Sequence, residues 1–161
     1  MEFASAELKA NRLLFIEAVK KQGRMLRFAS VDLKADHELA LAAIQEDSGA
    51  LDFVSENIKA DYEIVMAAVR SHGSALQFAS VEFQANRMIV LAAVGMYGFA
   101  LQFASIELKA DRELVMEAVT DDGAALQFAT VEHKADRKMT QDLDEGRLEL
   151  RFRSAVCVDR A

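Results

Sequence analysis

The chain has 161 residues, enough for one ordinary domain, with 52% apolar residues to bury a core and 28% charged residues to keep it soluble. A net charge of -7 argues against nucleic acid, which selects basic surfaces, and the single cysteine, Cys157, excludes an internal disulfide framework and fits a reducing compartment. No apolar run approaches the roughly 20 residues of a membrane span, and no basic-then-apolar start marks a signal peptide, so a soluble, cytoplasmic or otherwise intracellular protein is expected.

Phenylalanine stands at Phe3, Phe28, Phe53, Phe78, Phe103 and Phe128, each 25 residues after the last. A fixed period of this size is the mark of a solenoid of small stacked units. The units start near residues 3, 28, 53, 78, 103 and 128. In chain order, the first long helix is unusually apolar, with Leu13, Leu14, Phe15 and Ile16, and Met25 stands where later units carry alanine. Such an end calls for a cover, so a neighbour over Leu13, Phe15 and Met25 is expected.

Around each phenylalanine runs a short segment of helix formers, as in Ala75-Leu76-Gln77-Phe78-Ala79-Ser80. About seven residues cannot hold a helix alone, so packing must stabilise it, and burial on most sides is expected, with glutamine as the polar stripe. A turn follows, in which Ser5, Ser30, Ser55, Ser80, Ser105 or Thr130 can cap the next amides. Acids such as Glu82 and Glu107 suit the positive end of that turn, and Leu8, Leu33, Ile58, Phe83 and Leu108 should plug the gap between helices. Next, Asn11, Asp36, Asp61, Asn86, Asp111 and Asp136 stand where an N-cap is wanted.

The long helix then runs to a glycine, for example from Asp61 to Gly73. Ile64, Val65, Ala68 and Val69 fall at i, i+1, i+4 and i+5, a broad stripe for the core. Gly23, Gly73, Gly98 and Gly123 are expected to end helices in the left-handed region, with Gly49 displaced by one place in the second unit. After Asp136 the apolar columns hold Thr140, Gln141 and Asp144, as in a polar terminal cap, and residues 150–154 echo a degraded short helix. The expected organisation is a helical repeat domain over 1–146, followed by a degenerate cap and frayed tail over 147–161. The fold class is an all-α solenoid, right- or left-handed, of about five 25-residue α-α units, each pairing a short helix with a longer one.

The strings Ala125-Leu126-Gln127-Phe128-Ala129 and Leu108-Lys109-Ala110-Asp111-Arg112-Glu113 resemble the tandem repeats known as domain of unknown function 4116, over residues 3 to about 139. The resemblance implies a helical repeat of unassigned role and brings no catalytic residues with it.

No chemistry-bearing pattern appears. His37, His72 and His133 share no metal-ligand spacing with one another or with Cys157, no base recurs beside the serines, and no phosphate-cradling glycine loop is present. The expectation is a non-enzyme without cofactor or metal. Two surfaces are candidates for a partner protein or peptide. One is a pair of rows, Gln77, Gln102 and Gln127 with Arg87, Arg112 and Arg137, whose plainer account is hydrogen bonding within the array and pairing with acids such as Glu107 or Glu132. The other is the fourth unit, where Met88 replaces the glutamates of Glu63 and Glu113 and a loop of Gly95, Met96, Tyr97 and Phe99 turns apolar. The expected function is a protein-interaction scaffold. The alternatives are a structural subunit of a larger assembly and a repeat module of a larger enzyme or effector.

Overall fold

The computed structural model describes residues 5–136, and every described element is helical. The sequence pattern of each unit becomes three pieces: a four-residue turn of α-helix, a ten-residue α-helix and a six-residue 3-10 helix. In the first unit these are α1 (Ala6–Lys9), α2 (Arg12–Lys21) and η1 (Gly23–Phe28). The second has α3 (Val31–Lys34), α4 (His37–Glu46) and η2 (Ser48–Phe53). The third has α5 (Glu56–Lys59), α6 (Tyr62–Ser71) and η3 (Gly73–Phe78). The fourth has α7 (Val81–Gln84), α8 (Arg87–Met96) and η4 (Gly98–Phe103). In the fifth the short turn tightens to η5 (Leu108–Ala110), before α9 (Arg112–Asp121) and η6 (Gly123–Phe128). A further short helix, α10 (Val131–Ala135), follows.

The five long helices stack in chain order as one layer and the five six-residue 3-10 helices as a second, each long helix packing on the 3-10 helices of its own unit and the unit before. Ile64, Val65, Ala68 and Val69 of α6 are fully buried, as are Ile89, Val90, Ala93 and Val94 of α8, which is the expected stripe. The fold is the helical solenoid that the 25-residue period predicts.

The capping columns behave as their chemistry requires. Asn11, Asp36, Asp61, Asn86 and Asp111 all sit in extended backbone, and each accepts from the amide three residues on, as Asp36 does from Leu39 at 2.9 Å. Ser5, Ser30 and Ser105 accept more weakly, at 3.4 Å, whereas the hydroxyls of Ser55 and Ser80 are buried without a hydrogen-bond partner. Leu33 and Ile58 do plug the space between helices, Phe83 and Leu108 do so in part, and Leu8 is exposed.

Three local expectations change. The short segment around the phenylalanine is a 3-10 helix, and Phe28, Phe53, Phe78, Phe103 and Phe128 at its end are only half-buried, while Leu26, Leu51, Leu76 and Leu101 fill the core. Secondly, none of the described glycines takes up the left-handed region. The long helices end instead at extended residues such as His72 and Tyr97, and the glycine opens the 3-10 helix. At Gly73 and Gly23 the reason is close approach: a Cβ on Gly73 would overlap the Ala93 carbonyl of the next long helix, and one on Gly23 the Ala43 carbonyl. Ser48 occupies this column in the second unit, so Gly49 is not the displaced equivalent. Thirdly, Phe15 is fully buried and Met25 half-buried, so of the three residues expected to need a cover only Leu13 is open, at 78% exposure.

One further device joins the units. The backbone amide of Ser30 donates to the Lys9 carbonyl at 2.8 Å, Ser55 to Lys34, Ser80 to Lys59, Ser105 to Gln84 and Thr130 to Lys109. Each bond satisfies a carbonyl that the end of a short helix would otherwise leave unpaired. Residues 137–161, with Arg137, the terminal cap, the degenerate helix and Cys157, lie outside the described residues.

Candidate functional site

The described members of the arginine row, Arg87 and Arg112, pair inside the array, as does Arg12 in the same column. Arg12, the first residue of α2, reaches Asp36 of the next unit with Nε at 2.6 Å and Glu38 with Nη2 at 2.5 Å. Arg87 pairs in the same way with Asp111, at 2.8 Å, and with Glu113. Arg112 reaches Asp136 at 2.7 Å, and His37 lies 3.5 Å from Asp61. The acids are therefore the caps Asp36, Asp61 and Asp111 and the first-turn Glu38 and Glu113 of the following long helices, together with Asp136, and not Glu107 or Glu132. Their charges are mutually held. The carboxylates at Asp36 and Glu38 push the Arg12 pKa up, and Arg12 in turn holds Asp36 below its usual range. At Asp111 partial burial opposes ionisation, but Arg87 and the Leu114 amide outweigh it.

The glutamine row is not a matched set either. Gln77 donates to the Ser74 carbonyl and Gln102 to the Phe99 carbonyl, both at 3.1 Å, so each bonds to its own 3-10 helix. Gln77 and Gln127 are exposed and Gln102 half-buried. Their counterparts in the first two units are Arg27 and Asp52, and Arg27 lies over the rings of Phe28 and Phe53 instead. Of the other histidines, His133 Nε2 lies 2.8 Å from the Ala110 carbonyl, and the exposed His72 ring lies 3.4 Å from the Ser71 hydroxyl. Among the described residues no group of His, Cys, Asp and Glu could hold a metal, and no helix is long and apolar enough to cross a membrane. A cleft of about 300 Å³ is lined by Lys21, Glu46, Asp47, Ser48 and His72, a mixed set of charges in which Asp47 already pairs with Arg24.

The fourth unit is different in kind. The region expected as a loop is in fact the last turn of α8, its cap and the first turn of η4: Gly95 and Met96 are helical, Tyr97 is the cap, and Phe99 lies within η4. Phe99 turns back on the array, stacked on Tyr97 at 5.7 Å and edge-on to Phe128 at 5.5 Å. What remains is a face. Met88, Leu91, Ala92, Gly95 and Met96 fall at i, i+3, i+4, i+7 and i+8, a second apolar stripe beside the buried one. Met88 is 60% and Met96 52% exposed, at opposite ends of a stripe about 12 Å long by helix geometry. The same positions hold Glu63, Met66, Ala67, Arg70 and Ser71 on α6 and Glu113, Met116, Glu117, Thr120 and Asp121 on α9. The Glu117 carboxylate lies beside Gly95, and its pKa is raised, first by burial and then by Asp121.

Sequence reading missed Leu91 and Ala92, although their 3.6-residue spacing from Met88 was visible. It also missed a row on another edge, where Val31, Val81, Ile106 and Val131 stand nearly bare to solvent.

No curated protein and no solved structure matches the chain. The family model described as Domain of unknown function (DUF4116) matches it twice in tandem, over residues 36–84 and 86–134. Each match opens at the capping residue of a long helix, Asp36 or Asn86, and closes at or just inside the end of a short one, at Gln84 or Lys134, so one family domain holds two of the 25-residue units. With more than half of its length matched in this way, the chain belongs to the DUF4116 family of tandem helical repeats.

Proposed function

We propose that the chain is a non-catalytic scaffold that holds another protein on the outer face of α8. The observation that carries this reading is the apolar stripe of Met88, Leu91, Ala92, Gly95 and Met96, on a layer whose other outer faces carry charge. Methionine and aliphatic side chains of this kind adapt to a partner's surface and gain from losing water. Gly95 adds to the argument. A Cβ there would meet only the Glu117 carboxylate, at an ordinary 3.5 Å, so packing does not demand glycine. Glycine inside a helix costs about 0.5–1 kcal/mol relative to alanine, and in this stripe it leaves backbone uncovered for close approach.

Affinity purification from the native source, with the natural chain beside Met88→Glu/Met96→Asp, tests the reading. A partner held by the first and lost by the second is the expected result, and the same set on both baits would overturn it. Gly95→Ala should raise the melting temperature by a few degrees while weakening the same partner. A second reading is a subunit locked into a larger assembly. Sedimentation of the isolated chain separates the two readings, a monomer supporting the scaffold and self-association the subunit.

A further inference from the structure

Each short segment is opened, just after its capping serine or threonine, by a residue that is β-branched in four of six units. Val31 is 81% exposed, Val81 77%, Ile106 72% and Val131 76%. The core does not account for them, since they lie outside it. Helix formation does not either, because β-branched side chains are among the poorer helix formers. Beside them stand Asp32, Glu82, Glu107 and Glu132, exposed and without an ion pair to another described residue. Glu107 and Glu132 are kept ionised below the usual carboxylate range, first by their own backbone amides and then by the hydroxyls of Ser105 and Thr130. Beside Glu82 and Glu107 the polar residue two places further on turns inward, whereas Lys134, two places after Glu132, stays exposed. Lys109 donates to the Gln102 carbonyl at 2.7 Å, and Gln84 to the carbonyls of Leu76, Gln77 and Ala79.

The amide-to-carbonyl bonds from Ser105 to Gln84 and from Thr130 to Lys109 hold three successive short segments side by side. Val81, Ile106 and Val131 therefore form one line, with acids alongside, at intervals set by helix packing of about 8–10 Å. A polyproline II chain has three residues per turn and rises about 3.1 Å per residue, so every third side chain faces the same way about 9 Å further on. The two intervals agree. The acids ask for a cationic ligand, and a second copy of a chain of net charge -7 does not supply one.

We propose that this edge of the array binds a basic segment of another protein in the polyproline II conformation, with an aliphatic residue at every third position and Lys or Arg between. The site is separate from the face of α8, and neither depends on the other.

The test is titration of the methyl-labelled full chain with a peptide of four Leu-Pro-Lys triplets, followed by NMR. Saturable shifts at the methyls of Val81, Ile106 and Val131 are expected. Val81→Ser/Ile106→Ser/Val131→Ser should weaken binding about tenfold, and Glu82→Gln/Glu107→Gln/Glu132→Gln should weaken it and flatten its salt dependence. All six side chains are exposed, so unchanged melting curves show that the fold persists. No saturable shift at these methyls would overturn the proposal. So would equal binding of a Leu-Pro-Glu peptide or of a shuffled peptide of the same composition, or shifts centred on Met88 and Met96.

Discussion

Gly73 begins its 3-10 helix in a backbone conformation open to any residue, yet it faces the Ala93 carbonyl too closely for a side chain. Gly73→Ala should therefore act as overpacking between two units, with a cost of about 1–3 kcal/mol in urea denaturation. A left-handed cap would respond similarly to alanine but would tolerate asparagine, whereas here Gly73→Asn should be worse than alanine. Equal stability of the asparagine variant would refute the close-approach account. Glu117 offers a second test. Its pKa is raised, so between the unfolded and folded values the native chain binds more protons than the unfolded one, and stability falls as pH rises through that window. Glu117→Gln should accordingly stabilise the chain at pH 7, by no more than about 0.5 kcal/mol, and the gain should vanish below the ordinary glutamate range. A gain that persists unchanged at pH 3 would mean that charge is not its cause.

Among the long helices, the first residue and the next unit's cap vary together. Arg12 faces Asp36, His37 faces Asp61, Arg87 faces Asp111 and Arg112 faces Asp136. Where the cap is the neutral Asn86, the residue opening the preceding long helix is Tyr62, which packs edge-on against Phe83 at 6.2 Å. The pairing is thus a rule between elements, not a property of either one. Installing Tyr62→Arg together with Asn86→Asp should complete the ladder. The double-mutant cycle should then show a favourable coupling of about 0.2–1 kcal/mol, as for other exposed ion pairs, fading in high salt. Strictly additive substitutions would show that the column is incidental.

Across the whole molecule, what could be read from the amino acids was whatever is local or periodic. The step between phenylalanines marks the stack, the Asp and Asn column marks the long helices, and Ile64, Val65, Ala68 and Val69 mark the buried stripe. What could not be read depends on contacts one unit away. Gly73 looks like a helix end until the Ala93 carbonyl is placed beside it, and Arg87 looks free until Asp111 arrives from the next turn of the array. Phe15 looked uncovered because its column is buried by later chain, and the half-burial of the repeating phenylalanines follows from a 3-10 geometry that a six-residue string does not distinguish from α. Of the candidate site, Met88 and Met96 were legible as breaks in a pattern. Their joining into one stripe was not, because Gly95, Met96 and Tyr97 had the composition of a loop.

The amide of each capping serine or threonine holds the carbonyl that closes the previous short segment, and both atoms are main chain. Lys9, Lys34, Lys59 and Lys109 serve as acceptors, and Gln84 does so equally well at 2.9 Å, so the joint is blind to side-chain identity. A seam of this sort lets whole units be duplicated, deleted or traded between positions without refitting the join. The array can then lengthen or shorten in steps of 25 residues, while its exposed rows are free to diverge.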